Sequence, residues 1–178
     1  MATVYKGRVF AVEVERVRFP NGRSHEVSIV RHPPSVVIIP MPDEHHVILI
    51  RQYRHTIGRD IWELPAGSLN PGETAEAAAA RECEEEIRLV PDQLLRIRGL
   101  FPAPGFCDEE LIFFRASGLH APAPDSPHRP DEDEDIFVQV FSVGEAMALT
   151  AQGEIVDLKT AYGLTLLQAD REGAARSS

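Results

Sequence analysis

Residues 71–89 read PGETAEAAAARECEEEIRL. An Ala-rich run, opened by Thr74 and free of internal Gly or Pro, predicts a helix over about 74–88. Its far end crowds Glu82, Glu84, Glu85 and Glu86 together. Like charges four apart on a helix repel, at a cost of a few tenths of a kcal/mol per pair. On a wheel of roughly 100° per residue, with Glu82 at zero, Glu86 falls near +40° and Glu85 near −60°, so these three share a face. Cys83, Ala80 and Ile87 gather on another face, the expected core side. Glu84 points away from both and reads as plain surface. The helix dipole is already negative at this end. Either the carboxylates form a solvated acidic helix end or they grip a divalent cation. Oxygen-only donors select hard ions, Mg²⁺ first and Mn²⁺ next.

Working outward, strands dominate. VFAVEVERVRF (9–19) alternates with period two, Asn21-Gly22 is a hairpin turn, and HEVSIVRH (25–32) returns. SVVIIPM (35–41) is a continuous apolar run, expected as a strand buried on both faces, and HVILIRQYR (46–54) is another strand. IWELPAGSLNPGE (61–73) reads as a loop punctuated by Gly67, Pro71 and Gly72. Beyond the helix, strands are expected over 94–101, 110–119 and 136–142, around the loop PAPGFCDE (102–109) and the Pro-rich polar loop 120–135. Ser142 and Glu145 form a capping box for a short helix that Gly153 ends, and a last amphipathic helix covers about 157–169. Strands with helices inserted between them point to an α+β class.

Composition excludes some functions. The chain of 178 residues has a formal charge of −10, which disfavours a nucleic-acid groove or an anionic membrane surface. No apolar stretch approaches a membrane span or a signal-peptide core. Two cysteines, Cys83 and Cys107, are too few for a disulfide framework, so a cytoplasmic setting is the default expectation.

The spacing around the acidic helix is specific. Gly67 is followed after five residues by Glu73, then after seven more by Arg81-Glu82, Cys83, Glu84, Glu85-Glu86, Ile87, Arg88 and Leu89. This resembles the Nudix hydrolase signature, G-x5-E-x7-R-E-U-x-E-E-x-G-U with U apolar, except that Arg88 stands where the signature has its second Gly. That exchange is expected to reshape the helix exit without removing a ligand. The resemblance implies an α/β/α sandwich with a mixed sheet. It implies Mg²⁺, with Mn²⁺ as a substitute, held by Glu82 and Glu86, with Glu85 as a further ligand or a holder of catalytic water, and with the Ala66 carbonyl as another ligand. Glu73 and Arg81 are expected to pair and brace the loop against the helix.

Further stretches are similar to the ADP-ribose pyrophosphatase branch: RQYRH (51–55), WELPAG (62–67), PAPGFCDE (102–109) with its Pro104, DEDEDI (131–136) and GEIVDLKT (153–160). By that resemblance Glu132 is the general base and Glu134 an extra metal ligand, with Glu109 as the rival base or a contact to the terminal ribose. Arg54 is expected to clamp phosphate and Phe106 to line the pocket. Residues 1–40 would form a β extension used in a homodimer, 41–172 the hydrolase domain, and 173–178 a frayed tail. The implied partner is a small nucleotide, neither nucleic acid nor membrane. ADP-ribose is the leading substrate. GDP-mannose, another sugar nucleotide, FAD, or a ligand-binding regulator without turnover remain alternatives.

Overall fold

The computed structural model describes residues 2–129 and 135–175, with side chains as far as Gln168. Ten strands and three helices run in the order β1 (Ala2–Lys6), β2 (Ala11–Arg18), β3 (Ser24–Arg31), β4 (Ser35–Pro40), β5 (His46–Arg54), β6 (Arg59–Glu63), β7 (Ala66–Ser68), α1 (Ala75–Ile87), β8 (Val90–Leu100), β9 (Leu111–His120), β10 (Phe137–Ser142), α2 (Val143–Ala151) and α3 (Leu158–Ala175). They build three sheets: antiparallel β1-β2-β3, antiparallel β10-β5-β6, and a mixed sheet β7-β4-β9-β8 in which β4 and β9 run parallel.

Strand β4 organises the core. All six of its residues are buried, as the apolar run 35–41 implies. Its side chains alternate between two layers. Val37 and Ile39 join Leu49, Phe113 and the α2 and α3 residues Ala146, Leu164 and Leu167. Val36 and Ile38 join Ile50, Phe114 and the α1 residues Ala78, Ala79, Cys83 and Ile87. Helices therefore cover both faces, and the result is the expected α/β/α sandwich. Full burial of one such aliphatic side chain contributes about 1.5–3 kcal/mol, so this strand alone anchors both layers.

Local signals account for the ends of the elements. The Thr74 hydroxyl accepts from the Ala77 N–H (3.2 Å) and caps α1. Ser142 and Glu145 form the reciprocal capping box of α2. The strands β2 and β3 pair from Ala11↔Arg31 to Arg18↔Ser24 around the Asn21-Gly22 turn.

Three expectations need correction. Residues 61–73 are not all loop: β6 ends at Glu63 and β7 spans Ala66–Ser68, pairing with β4 at Val37↔Ala66. Glu84 is not surface. It is buried, and its Oε1 has no hydrogen-bond partner. The reason is that α1 packs against β4, β7 and β8 together, so its buried arc is wider than one stripe. Arg88 does not reshape the helix exit. It adopts the left-handed conformation (φ 57°, ψ 35°) that a Gly would supply, and its N–H bonds to the Glu84 carbonyl. The N-terminal sheet ends at Arg31, and β4 belongs to the central mixed sheet. None of the described helices is long and apolar enough to cross a membrane.

Candidate active site

Arg81 is the centre of the acidic helix end. Its Nε and Nη2 bond to the two Glu73 oxygens (2.9 and 3.0 Å), so the expected brace is present. Nη2 also reaches the Ser68 carbonyl (3.1 Å). Nη1 is shared by Glu82 Oε1 (2.7 Å) and Glu85 Oε2 (2.8 Å). One guanidinium thus gathers three carboxylates and a loop carbonyl. The Glu73 hydrogen bond leads the influences that raise the affinity of Arg81 for its proton, and Arg81 in turn holds the Glu73 carboxyl below its usual range.

Gly67 explains itself at this point. A Cβ built there would lie 1.9 Å from Glu82 Oε1 and 2.1 Å from its Cδ. Only glycine lets the Glu82 carboxylate lie against the loop backbone. On the same loop, the Ala66 N–H donates to Glu86 Oε2 (2.9 Å), and Glu86 is buried. The three glutamates named from the sequence are therefore held by one loop and one arginine. No group of three or more His, Cys, Asp or Glu side chains among the described residues is drawn together tightly enough to form a metal cage. Glu73, Glu82 and Glu85 instead converge on the Arg81 cation. Oxygen donors of this kind are the type that a hard divalent ion takes.

A cleft of about 390 Å³ is lined by Ala66, Gly67 and Ser68 together with Arg54, Glu109, Asp157 and Lys159. A larger cavity of about 720 Å³ lies past the other end of β4, beside Met41, Asp43 and Arg115, and contains no signature residue. The chemistry assigns the site to the smaller cleft.

Glu109 accepts from the Ser35 hydroxyl (2.8 Å), with His32 Nδ1 at 3.5 Å. Its loop is clipped to the N-terminal sheet: the Val30 N–H donates to the Phe106 carbonyl (2.7 Å), and Arg31 joins Asp108, Glu13 and Glu15. Phe106 itself is 61% exposed and lies outside the cleft lining. Arg54 lines the cleft but is not a free clamp. Its Nε and Nη2 both bond to Glu63, which is buried. Burial works to raise the Glu63 carboxyl, yet the Arg54 and Lys159 contacts outweigh it and hold the group below the ordinary carboxylate range. Sequence reasoning gave no role to Glu63, Lys159, His32 or Ser35, although WELPAG and GEIVDLKT contain two of them. An ionisable residue inside an otherwise apolar strand context was the available signal at Glu63.

Glu132 and Glu134 lie outside the described residues. Their loop is described as far as residue 129, and there the Arg88 side chain donates to the His128 carbonyl (2.8 Å) and His128 Nδ1 lies 3.7 Å from Glu85.

A glutamate-rich helix end folded over a glycine-opened loop, on an α/β/α sandwich, defines a Nudix-type pyrophosphohydrolase. The NUDIX domain model matches residues 31–160, and the chain belongs to that family. Among curated relatives, the ADP-ribose pyrophosphatase of Bacillus subtilis is 36% identical over 93% of this chain and 88% of its own length. That of Mycobacterium tuberculosis is 34% identical over 98% and 84%. The methanol dehydrogenase activator of Bacillus methanolicus is 33% identical over 93% and 88%. A crystal structure of an ADP compounds hydrolase superposes with a TM-score of 0.82 at 25% identity, covering 98% of this chain and 93% of the other.

Proposed function

We propose that the protein hydrolyses the diphosphate bond of a nucleoside diphosphate sugar, with ADP-ribose giving AMP and ribose 5-phosphate, in a reaction that depends on Mg²⁺. One observation carries the reading. Glu82 and Glu85 share the Arg81 guanidinium, and Glu86 is tied to the loop that walls a cleft containing Arg54 and Lys159. Carboxylates for a hard cation thus adjoin cations for a polyanion. The named relatives support the substrate class.

Glu82, Glu85 and Glu86, with the Ala66 carbonyl, would hold Mg²⁺, which would supply charge neutralisation for the diphosphate and activation of water. The chain's own groups do the rest. Gly67 admits the Glu82 carboxylate, and Arg81 orients Glu82 and Glu85. Arg54 faces the phosphates with Nη1, the nitrogen that Glu63 does not take. Glu109, oriented by Ser35 and His32, meets the terminal ribose. Glu132 takes the proton of the attacking water and Glu134 adds a carboxylate. Phe106 packs on substrate at the cleft mouth. The β1–β3 sheet, with Val4 62% and Tyr5 54% exposed, is the homodimer contact.

The test is product analysis. ADP-ribose, GDP-mannose and FAD are incubated with Mg²⁺ and the phosphorus products resolved by NMR. AMP plus ribose 5-phosphate in preference to the others is expected. Glu82→Gln should lower turnover by about 10²–10³-fold with the fold intact, the scale of losing one transition-state charge contact. Binding of ADP-ribose without cleavage would instead establish a ligand-binding regulator.

A further inference from the structure

Lys159 lies in the first turn of α3 and lines the cleft. Its ammonium bonds to Glu63 and to Asp157 Oδ2 (2.9 Å). An ammonium has three N–H groups, so one is left for a ligand. Arg54 spends Nε and one Nη2 hydrogen on the same Glu63 carboxylate, which leaves Nη1 uncommitted to it. Glu63 is 1% exposed and does not line the cleft, whereas Lys159 and Arg54 do, in a lining they share with Asp157 and Glu109.

We propose that Lys159 is a substrate-contacting cation and that Glu63 is its positioning residue, so that Lys159 and Arg54 form one prearranged fork for the phosphate oxygens of a nucleoside diphosphate sugar. This rests on the hydrolase reading above.

The four charges sum to zero, but their layering is unequal. One carboxylate inside needs one cation, and here it holds two. A chain with a net charge of −10 needs cations such as Arg54 and Lys159 facing the cleft to admit a polyanion. The fork is also fixed. Arg54 ends β5 and Glu63 ends β6. Asp157 accepts from the Thr160 N–H (3.0 Å), and the Thr160 hydroxyl accepts from the Leu64 N–H (2.8 Å), locking the start of α3 to the chain just after Glu63. Groups held by second contacts lose little freedom when they bind.

The test compares wild type with Lys159→Met, Lys159→Arg and Glu63→Gln. It measures kcat and KM for ADP-ribose with Mg²⁺, metal-free ADP-ribose binding by calorimetry, and Tm. Lys159→Met is expected to raise KM at least tenfold and to weaken metal-free binding by a similar factor, with a flatter dependence of KM on salt. Lys159→Arg should return to within about threefold of wild type. Glu63→Gln should weaken binding although it does not touch substrate, and adding it to Lys159→Met should cost less than the product of the single effects. A fall in Tm with KM and binding unchanged well below Tm would make the cluster structural and overturn the inference. Wild-type protein that cleaves no diphosphate overturns the hydrolase reading instead. The fork is then judged by metal-free binding: a loss specific to Lys159→Met upholds it, and equal or absent binding ends it.

Discussion

Gly67→Ala is the sharpest perturbation this site offers. The backbone at Gly67 is not left-handed, so alanine introduces no strain of φ there. Its Cβ would meet the Glu82 carboxylate at 1.9 Å, and real Cβ atoms keep at least 3.0 Å, so the carboxylate must retreat by about 1 Å. Glu82 is a long side chain and can swing away, so stability should change little, by less than about 1 kcal/mol. Function should not be spared. A misplacement of about 1 Å costs on the order of 10²-fold in rate, or roughly 2.7 kcal/mol of barrier. The assay is kcat/KM on ADP-ribose with saturating Mg²⁺, read beside thermal melting and Mn²⁺ binding by electron paramagnetic resonance. The control is Gly72→Ala, at φ +80° with nothing within 4 Å, where the loss should be about 1 kcal/mol of stability and no activity. If Gly67→Ala keeps activity within fivefold of wild type, Glu82 is not held where the chemistry needs it.

Other outcomes follow from the same contacts. Arg88→Gly should raise stability by about 1 kcal/mol, because a non-Gly residue no longer occupies the left-handed region. A lower denaturation midpoint would show that its bond to His128 matters more. The Glu63 carboxyl lies lower in the folded state than in the unfolded one, so its contribution is present above about pH 4.3 and is lost as pH falls through the folded value. Urea midpoints of wild type and Glu63→Gln should therefore converge in acid, and curves that stay parallel would refute the pairing. Burial pushes the Cys83 thiol up to about 12. A thiol reagent at pH 8 should modify Cys107 alone in the native protein and both cysteines in denaturant, and prompt labelling of two would contradict the core packing.

How much was legible depended on whether a signal was local. The β4 run, the Asn21-Gly22 hairpin, the Thr74 cap and the Ser142–Glu145 box each declare themselves within a few residues, and all are present. The Glu73–Arg81 brace was visible through the spacing of the signature. What escaped was set by partners distant in sequence. Residues Ala66–Ser68 become a strand only because β4 offers an edge at Val37, and Pro65 and Gly67 disguise it. Glu84 reads as surface on a wheel because a wheel cannot show that three strands surround α1. The pairing of Arg54 with Glu63 escaped because Glu63 is contributed by a neighbouring strand.

Arg81 draws Glu73, Glu82, Glu85 and the Ser68 carbonyl to one point. The polypeptide thus carries its own counter-ion at the place where repulsion between glutamates would otherwise oppose collapse. Its folding is released from the supply of metal, and a chelator should silence such a protein without unravelling it.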